Sequence, residues 1–99
     1  MTYLVLCTFD LKGASSADYQ NAYSDLEGIG LYRAQSNSSG GKTVIPTTTV
    51  LGSYNGANAE AIRNQIRDQI KNIFSARKLK SEIFVVEGSS DWTWGSTTS

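Results

Sequence analysis

Residues 2–9, "TYLVLCTF", are largely apolar on both of their alternating faces: Tyr3, Val5, Cys7 and Phe9 on one, Leu4, Leu6 and Thr8 on the other, the second face closing on Asp10. This density of β-branched and aromatic residues predicts a buried strand. "LKGASS" reads as a loop, with Ser15 or Ser16 as helix N-cap and Asp18 in the favourable first turn. Tyr19, Ala22, Tyr23 and Leu26 then recur at helical spacing, which predicts a helix over 16–28 ended by a left-handed Gly28 or Gly30. A short strand over 31–36 and a loose "NSSGGK" turn lead to a second hairpin strand over 43–54. Pro46 lacks a ladder donor, so it belongs at an unpaired position near the start of that strand. Asn58 caps a second helix, in which Ile62, Ile66, Ile70, Ile73 and Phe74 form an amphipathic stripe to about residue 77. "EIFVVE", 82–87, is the last core strand.

The predicted order, β-α-β-β-α-β, is the split βαβ unit of a ferredoxin-like α+β fold: a four-stranded antiparallel sheet with two helices on one face. Residues 1–88 make that domain. Residues 89–99 form a tail that is polar except for Trp92 and Trp94, which share one face if the tail is extended. Such a pair is read as an anchor in an apolar groove of the same or a partner subunit, an added C-terminal strand or clamp, ahead of a base-stacking platform.

With 99 residues the chain supports one core, and its formal net charge of zero gives no global field toward nucleic acid or membrane. It has no histidine, which removes the commonest general base, the usual zinc ligand and every histidine-based triad. Cys7 lies in an apolar run and reads as a buried structural thiol. The N-terminal apolar run is too short to span a bilayer and lacks the basic start of a signal peptide, so no membrane partner and a cytoplasmic location are expected. Charge is nevertheless uneven: six of the nine Lys and Arg residues fall in 63–80. Arg63, Arg67 and Lys71, at i, i+4 and i+8, make one stripe that could follow phosphates. The plainer reading is a solvated helix face, interrupted by Glu60 and Asp68. Tyr19 and Tyr23 read as core residues, and the threonines of "TTTV", 47–50, as ordinary strand residues.

"YLVLCTFDL", "IPTTTVLG" and "EIFVVEG", in that order and separated by the two helices, resemble the CRISPR-associated protein 2 family and its relative, the virulence-associated protein D family with its SinR-like members. The resemblance covers about residues 3–88. It implies that Asp10 lies at a two-fold interface facing its symmetry mate, in a family whose active members are metal-dependent nucleases and whose other members are structural subunits. It also implies a C-terminal strand crossing onto the partner's sheet, where "DWTWG" lies. Of the basic residues that often follow the first strand in that family, Lys12 is the one present here.

Together these readings give a homodimer joined through Leu4, Leu6, Asp10, Trp92 and Trp94, with Arg63, Arg67, Lys71 and Lys12 as the nucleic-acid-binding candidates. Asp10 is the candidate catalytic residue and ligand of Mg²⁺ or Mn²⁺. One carboxylate per subunit, with no second acid beside it, makes a weak, water-rich site. The enzyme class stays open between a slow metal-dependent endonuclease and a non-catalytic partner-binding module. The competing view of Asp10 is a loop-starting residue bonded to the "LKG" backbone.

Overall fold

The computed structural model describes residues 2–36, 39–45, 47–89 and 95. Among them the chain forms β1 (Thr2–Leu11), α1 (Ser16–Glu27), β2 (Ala34–Ser36), β3 (Lys42–Val44), β4 (Thr49–Asn55), α2 (Ala59–Ala76) and β5 (Ser81–Ser89). β1 is the central strand of an antiparallel sheet ordered β4-β1-β5. Its alternation decides the architecture. Tyr3, Val5, Cys7, Phe9 and Leu11 are all buried on one side, beneath Ala22 and Leu26 of α1 and Ile62, Ile66, Ile70 and Phe74 of α2. Phe9 ties both helices to the sheet, its ring 5.2 Å from Phe74 and 5.9 Å from Tyr23. The guanidinium of Arg77, just past α2, bridges to the Asp25 carboxylate on α1 (Nη2 to Oδ1 3.0 Å).

The helix ends follow the sequence closely. Ser15 and Asp18 form a reciprocal capping box, each side chain accepting from the other's backbone N–H at 3.2 and 3.0 Å. The Asn58 side chain accepts from the Ala61 N–H at 2.8 Å. The left-handed stop after α1 is Gly30 (φ 90°), while Gly28 stays right-handed.

Two expectations are corrected. β1 does not end at residue 9: Asp10 and Leu11 remain in the ladder, opposite Glu82 and Ser81. The sheet, moreover, has three strands and not four. The segment expected as one strand over 43–54 splits into β3, which pairs with β2 in a separate ribbon, and β4, which pairs with β1. The ladder breaks at Thr48, which sits at φ 65°, a left-handed conformation foreign to a strand; the unpaired position expected for Pro46 lies outside the described residues. Thr47 and Thr48 are therefore turn residues. Their turn is held from outside: the Thr48 N–H donates to the Tyr23 hydroxyl at 2.8 Å, and the Thr48 carbonyl accepts from Phe9 N–H at 2.9 Å.

The ribbon is joined to the sheet at an isolated bridge, where Tyr32 and Leu51 exchange N–H···O bonds of 2.9 Å in each direction, and by the Gln35 side chain of β2, whose Nε2 donates to the Leu51 carbonyl at 3.3 Å. Beside it the chain packs backbone to backbone. A Cβ on Gly52 would lie 2.2 Å from the Gly30 carbonyl oxygen, so only glycine fits there.

The other face of the sheet carries no helix. Leu4, Leu6, Thr8 and Asp10 of β1 lie there beside Gly88, Val86, Phe84 and Glu82 of β5. Phe84 is 63% exposed, Val86 44% and Tyr32 46%. β5 extends to Ser89, past the expected boundary at 88, and the expected clamp made by Trp92 and Trp94 lies outside the described residues. No described helix is long and apolar enough to cross a membrane.

Candidate functional site

Asp10 is exposed on the helix-free face near the end of β1. The antiparallel register of β1 and β5 sets Glu82 directly across from it. Cross-strand neighbours of this kind hold their Cβ atoms about 4.5–5.5 Å apart. Two carboxylates so placed repel each other unless a cation sits near them, and Lys12 supplies one. Its Nζ lies 2.9 Å from Glu82 Oε1, and that hydrogen bond, with the charge of Glu82 and a smaller share from Asp10, holds the ammonium pKa above its ordinary value.

On the other side, Tyr19 of α1 reaches the end of β1. Its hydroxyl oxygen accepts from Leu11 N–H at 3.3 Å. Its single proton points between the Leu11 carbonyl at 3.2 Å and Asp10 Oδ1 at 3.4 Å. The helix thus fixes where the strand carries its acid. An open cavity of about 510 Å³ lies over this end of the sheet, lined by Thr8, Asp10, Thr48, Glu82 and Phe84 among others.

The acid expected to stand alone therefore has a second acid beside it, 72 positions away in sequence. Chemically, the chain presents two neighbouring carboxylates, one of them shared with a lysine. Among the described residues no group of three or more acids, cysteines or histidines gathers to enclose an ion. Such a pair suits a cation that keeps several of its waters, as Mg²⁺ does, and does not make an all-protein cage.

The other expected site residues separate into two places. Lys12, Leu4 and Leu6 share the helix-free face with Asp10. Arg63, Arg67 and Lys71 lie exposed on α2, which packs on the opposite face of the sheet. Arg63 pairs with Glu60 at 3.8 Å, and Arg67 with Asp68 at 3.2 Å. The basic stripe and the acidic pair are thus on opposite sides of the molecule. Burial pushes the Cys7 thiol pKa up to about 12, which leaves it protonated and inert as a nucleophile.

One acid on the covered face was not foreseen. Glu87 is opposite Val5, and its Oε2 is sealed from solvent with no hydrogen-bond partner among the described residues. Burial raises its pKa, and the nearby Arg63 charge opposes that rise. Both Glu82 and Glu87 were visible as acids in "EIFVVE". The missing signal was the strand register, which assigns one to each face.

No protein-family model matches the chain, and neither the curated proteins nor the solved structures compared with it include a match.

Proposed function

We propose that the protein is a cytoplasmic homodimer with a ferredoxin-like ancestry, similar to the CRISPR-associated protein 2 and virulence-associated protein D families, that associates with nucleic acid in a mobile-element or defence system. The pairing of Asp10 with Glu82 on a helix-free, partly apolar sheet face is the observation that carries this reading. A second copy laid on that face would cover Leu4, Leu6, Phe84 and Val86. If the two-fold axis ran near Asp10, it would double the number of carboxylates around one Mg²⁺ or Mn²⁺. The ion would then activate water and neutralise a phosphate, since no histidine is present to do either. The strand order β4-β1-β5 with the Tyr32–Leu51 bridge at its edge supports the ferredoxin-like element of the reading, with the fourth strand reduced to that bridge.

Nuclease activity on single- and double-stranded DNA and RNA, assayed with Mg²⁺ or Mn²⁺ and with excess EDTA, tests the chemistry. Slow cleavage that needs the metal and disappears in Asp10→Asn supports it, and cleavage that persists in either control places the active residues elsewhere. Light scattering at high micromolar concentration tests the assembly, and a monomer there rejects it. A second reading is favoured by the Lys12–Glu82 ion pair, which already satisfies half of the acidic pair. On it the same dimer is a non-catalytic module that binds a protein partner, antitoxin-like or anti-defence in character. A dimer with no detectable cleavage under any metal selects this reading.

A further inference from the structure

A second cavity, of about 500 Å³, is lined by Ser16, Tyr19, Gln20 and Tyr23 of α1 and by residues in and flanking the β2–β3 ribbon, and it shares Thr48 with the cavity over Asp10. Its lining contains one cation, Arg33, and no carboxylate. The guanidinium carbon lies 4.7 Å from the centroid of the Tyr23 ring, within cation–π range. No hydrogen bond or ion pair ties that guanidinium to any described residue. The Tyr23 hydroxyl accepts from the Thr48 N–H at 2.8 Å, so its own proton remains to be given. Ser16 and Thr47 add side-chain hydroxyls to the same lining, while Val44 and Ile45 supply an apolar wall. Val44 is 66% exposed, so its side chain is accessible to a ligand in the cleft.

We infer that this cleft binds a small organic phosphate, a phosphate monoester carried on a sugar or ring body such as a nucleoside monophosphate. A guanidinium fork leaves a carboxylate two acceptor positions, whereas a phosphate monoester has a third terminal oxygen as well and so uses more of the hydroxyl donors gathered here. One arginine with hydroxyl donors around it fits the second anion. The body of the ligand follows from size and lining. A cleft of this volume matches a small-molecule site and is far larger than an inorganic phosphate needs, and the wall of Val44 and Ile45 offers a surface only an organic body can use. The site is independent of the metal chemistry at Asp10, because none of its donors is an acid and no cation is required to hold the anion.

Calorimetric titration of the full chain in EDTA with adenosine monophosphate, adenosine and inorganic phosphate tests the inference. Adenosine monophosphate is expected to bind at least tenfold more tightly than either of the other two. Arg33→Gln should weaken that binding tenfold or more, and Thr47→Val by a smaller factor. Both positions are exposed, and circular dichroism confirms the fold of each variant. Equal binding of adenosine and its monophosphate overturns the phosphate, and equal binding of inorganic phosphate overturns the organic body. Unchanged affinity in Arg33→Gln, or no binding by any probe at millimolar concentration, overturns the site. The titration is run in EDTA and needs no cleavage, so a failed nuclease assay and a failed titration are separate results.

Discussion

The two faces of β1 are made by alternate residues of one ten-residue strand, yet they carry different obligations. On the covered face Val5 and Cys7 are fully buried and Phe9 nearly so, in one core with side chains of both helices. On the other face Leu4, Leu6 and Thr8 are half-buried and Asp10 is exposed, beside a largely exposed Phe84. The covered face has little freedom to vary because every side chain fills a shared volume. The helix-free face has no such constraint within one protomer. Its apolar residues and its pair of acids call for an explanation outside the monomer's own stability.

The contrast is most easily broken in the core. Phe74→Ala should cost about 3–5 kcal/mol, read as a lower urea midpoint, because the ring is fully buried against Phe9. A loss comparable to a surface change would mean that the helices do not depend on that contact.

Gly52→Ala comes next. Its new methyl would meet backbone, not a mobile side chain, and should cost about 1–3 kcal/mol while disturbing the Tyr32–Leu51 bridge. A neutral result would show that the ribbon can shift away from the sheet without loss.

Phe84→Asp sharpens the comparison from the other side. In dilute protein it should change stability by no more than about 0.5 kcal/mol, since the ring is mostly in water. At high micromolar concentration it should abolish the proposed association, as seen by sedimentation. If the same substitution unfolds the dilute protein, the helix-free face is part of the core after all.

The smallest effects concern two acids with opposite signs. The Arg77 guanidinium hydrogen-bonded to Asp25 holds that carboxyl below the usual carboxylate range, with burial opposing it. Its stabilising contribution is complete above the unfolded pKa of about 3.9 and is lost as pH falls through the lower folded value. Glu87 is the reverse, because burial raises its pKa. Its cost grows as pH rises through the raised folded value and vanishes below the unfolded pKa of about 4.3. Thermal melts should therefore show Glu87→Gln gaining on the parent as pH rises from acid to neutral. Asp25→Asn should be less stable at neutral pH and converge with the parent only at lower pH. A Glu87→Gln variant that loses ground to the parent as pH rises would mean that the carboxylate has a favourable partner.

Much of this organisation is legible in the chain because it is local. The alternation of β1, the isoleucine stripe of α2 and an N-cap at Ser15 each depend on residues a few positions apart and form as the sequence predicts, and the structure adds that Asp18 completes a capping box with that serine. The split of the 43–54 segment was half legible. Pro46 signalled a defect, but the left-handed Thr48 depends on the Tyr23 hydroxyl, 25 positions away. The candidate site divides the same way. Asp10 stood out as the acid closing an apolar run, whereas Glu82 joins it only through the pairing register of strands at the two ends of the domain. Neither partner's local sequence encodes that meeting.

The ribbon's attachment has a consequence for motion. β1 is bonded along both edges, so its amides are released only when the sheet itself opens. The ribbon's own pairing spans three residue pairs, and the Tyr32–Leu51 bridge is its one ladder contact with the sheet among the described residues. Segments held by so few bonds open at a fraction of the global free energy, so the ribbon amides should exchange with deuterium well ahead of those in β1. Across the gap to α1 the segments flanking the ribbon are tied by Arg33 over the Tyr23 ring and by the Thr48 N–H on the Tyr23 hydroxyl, so the width of that gap can change as the ribbon's own bonds open.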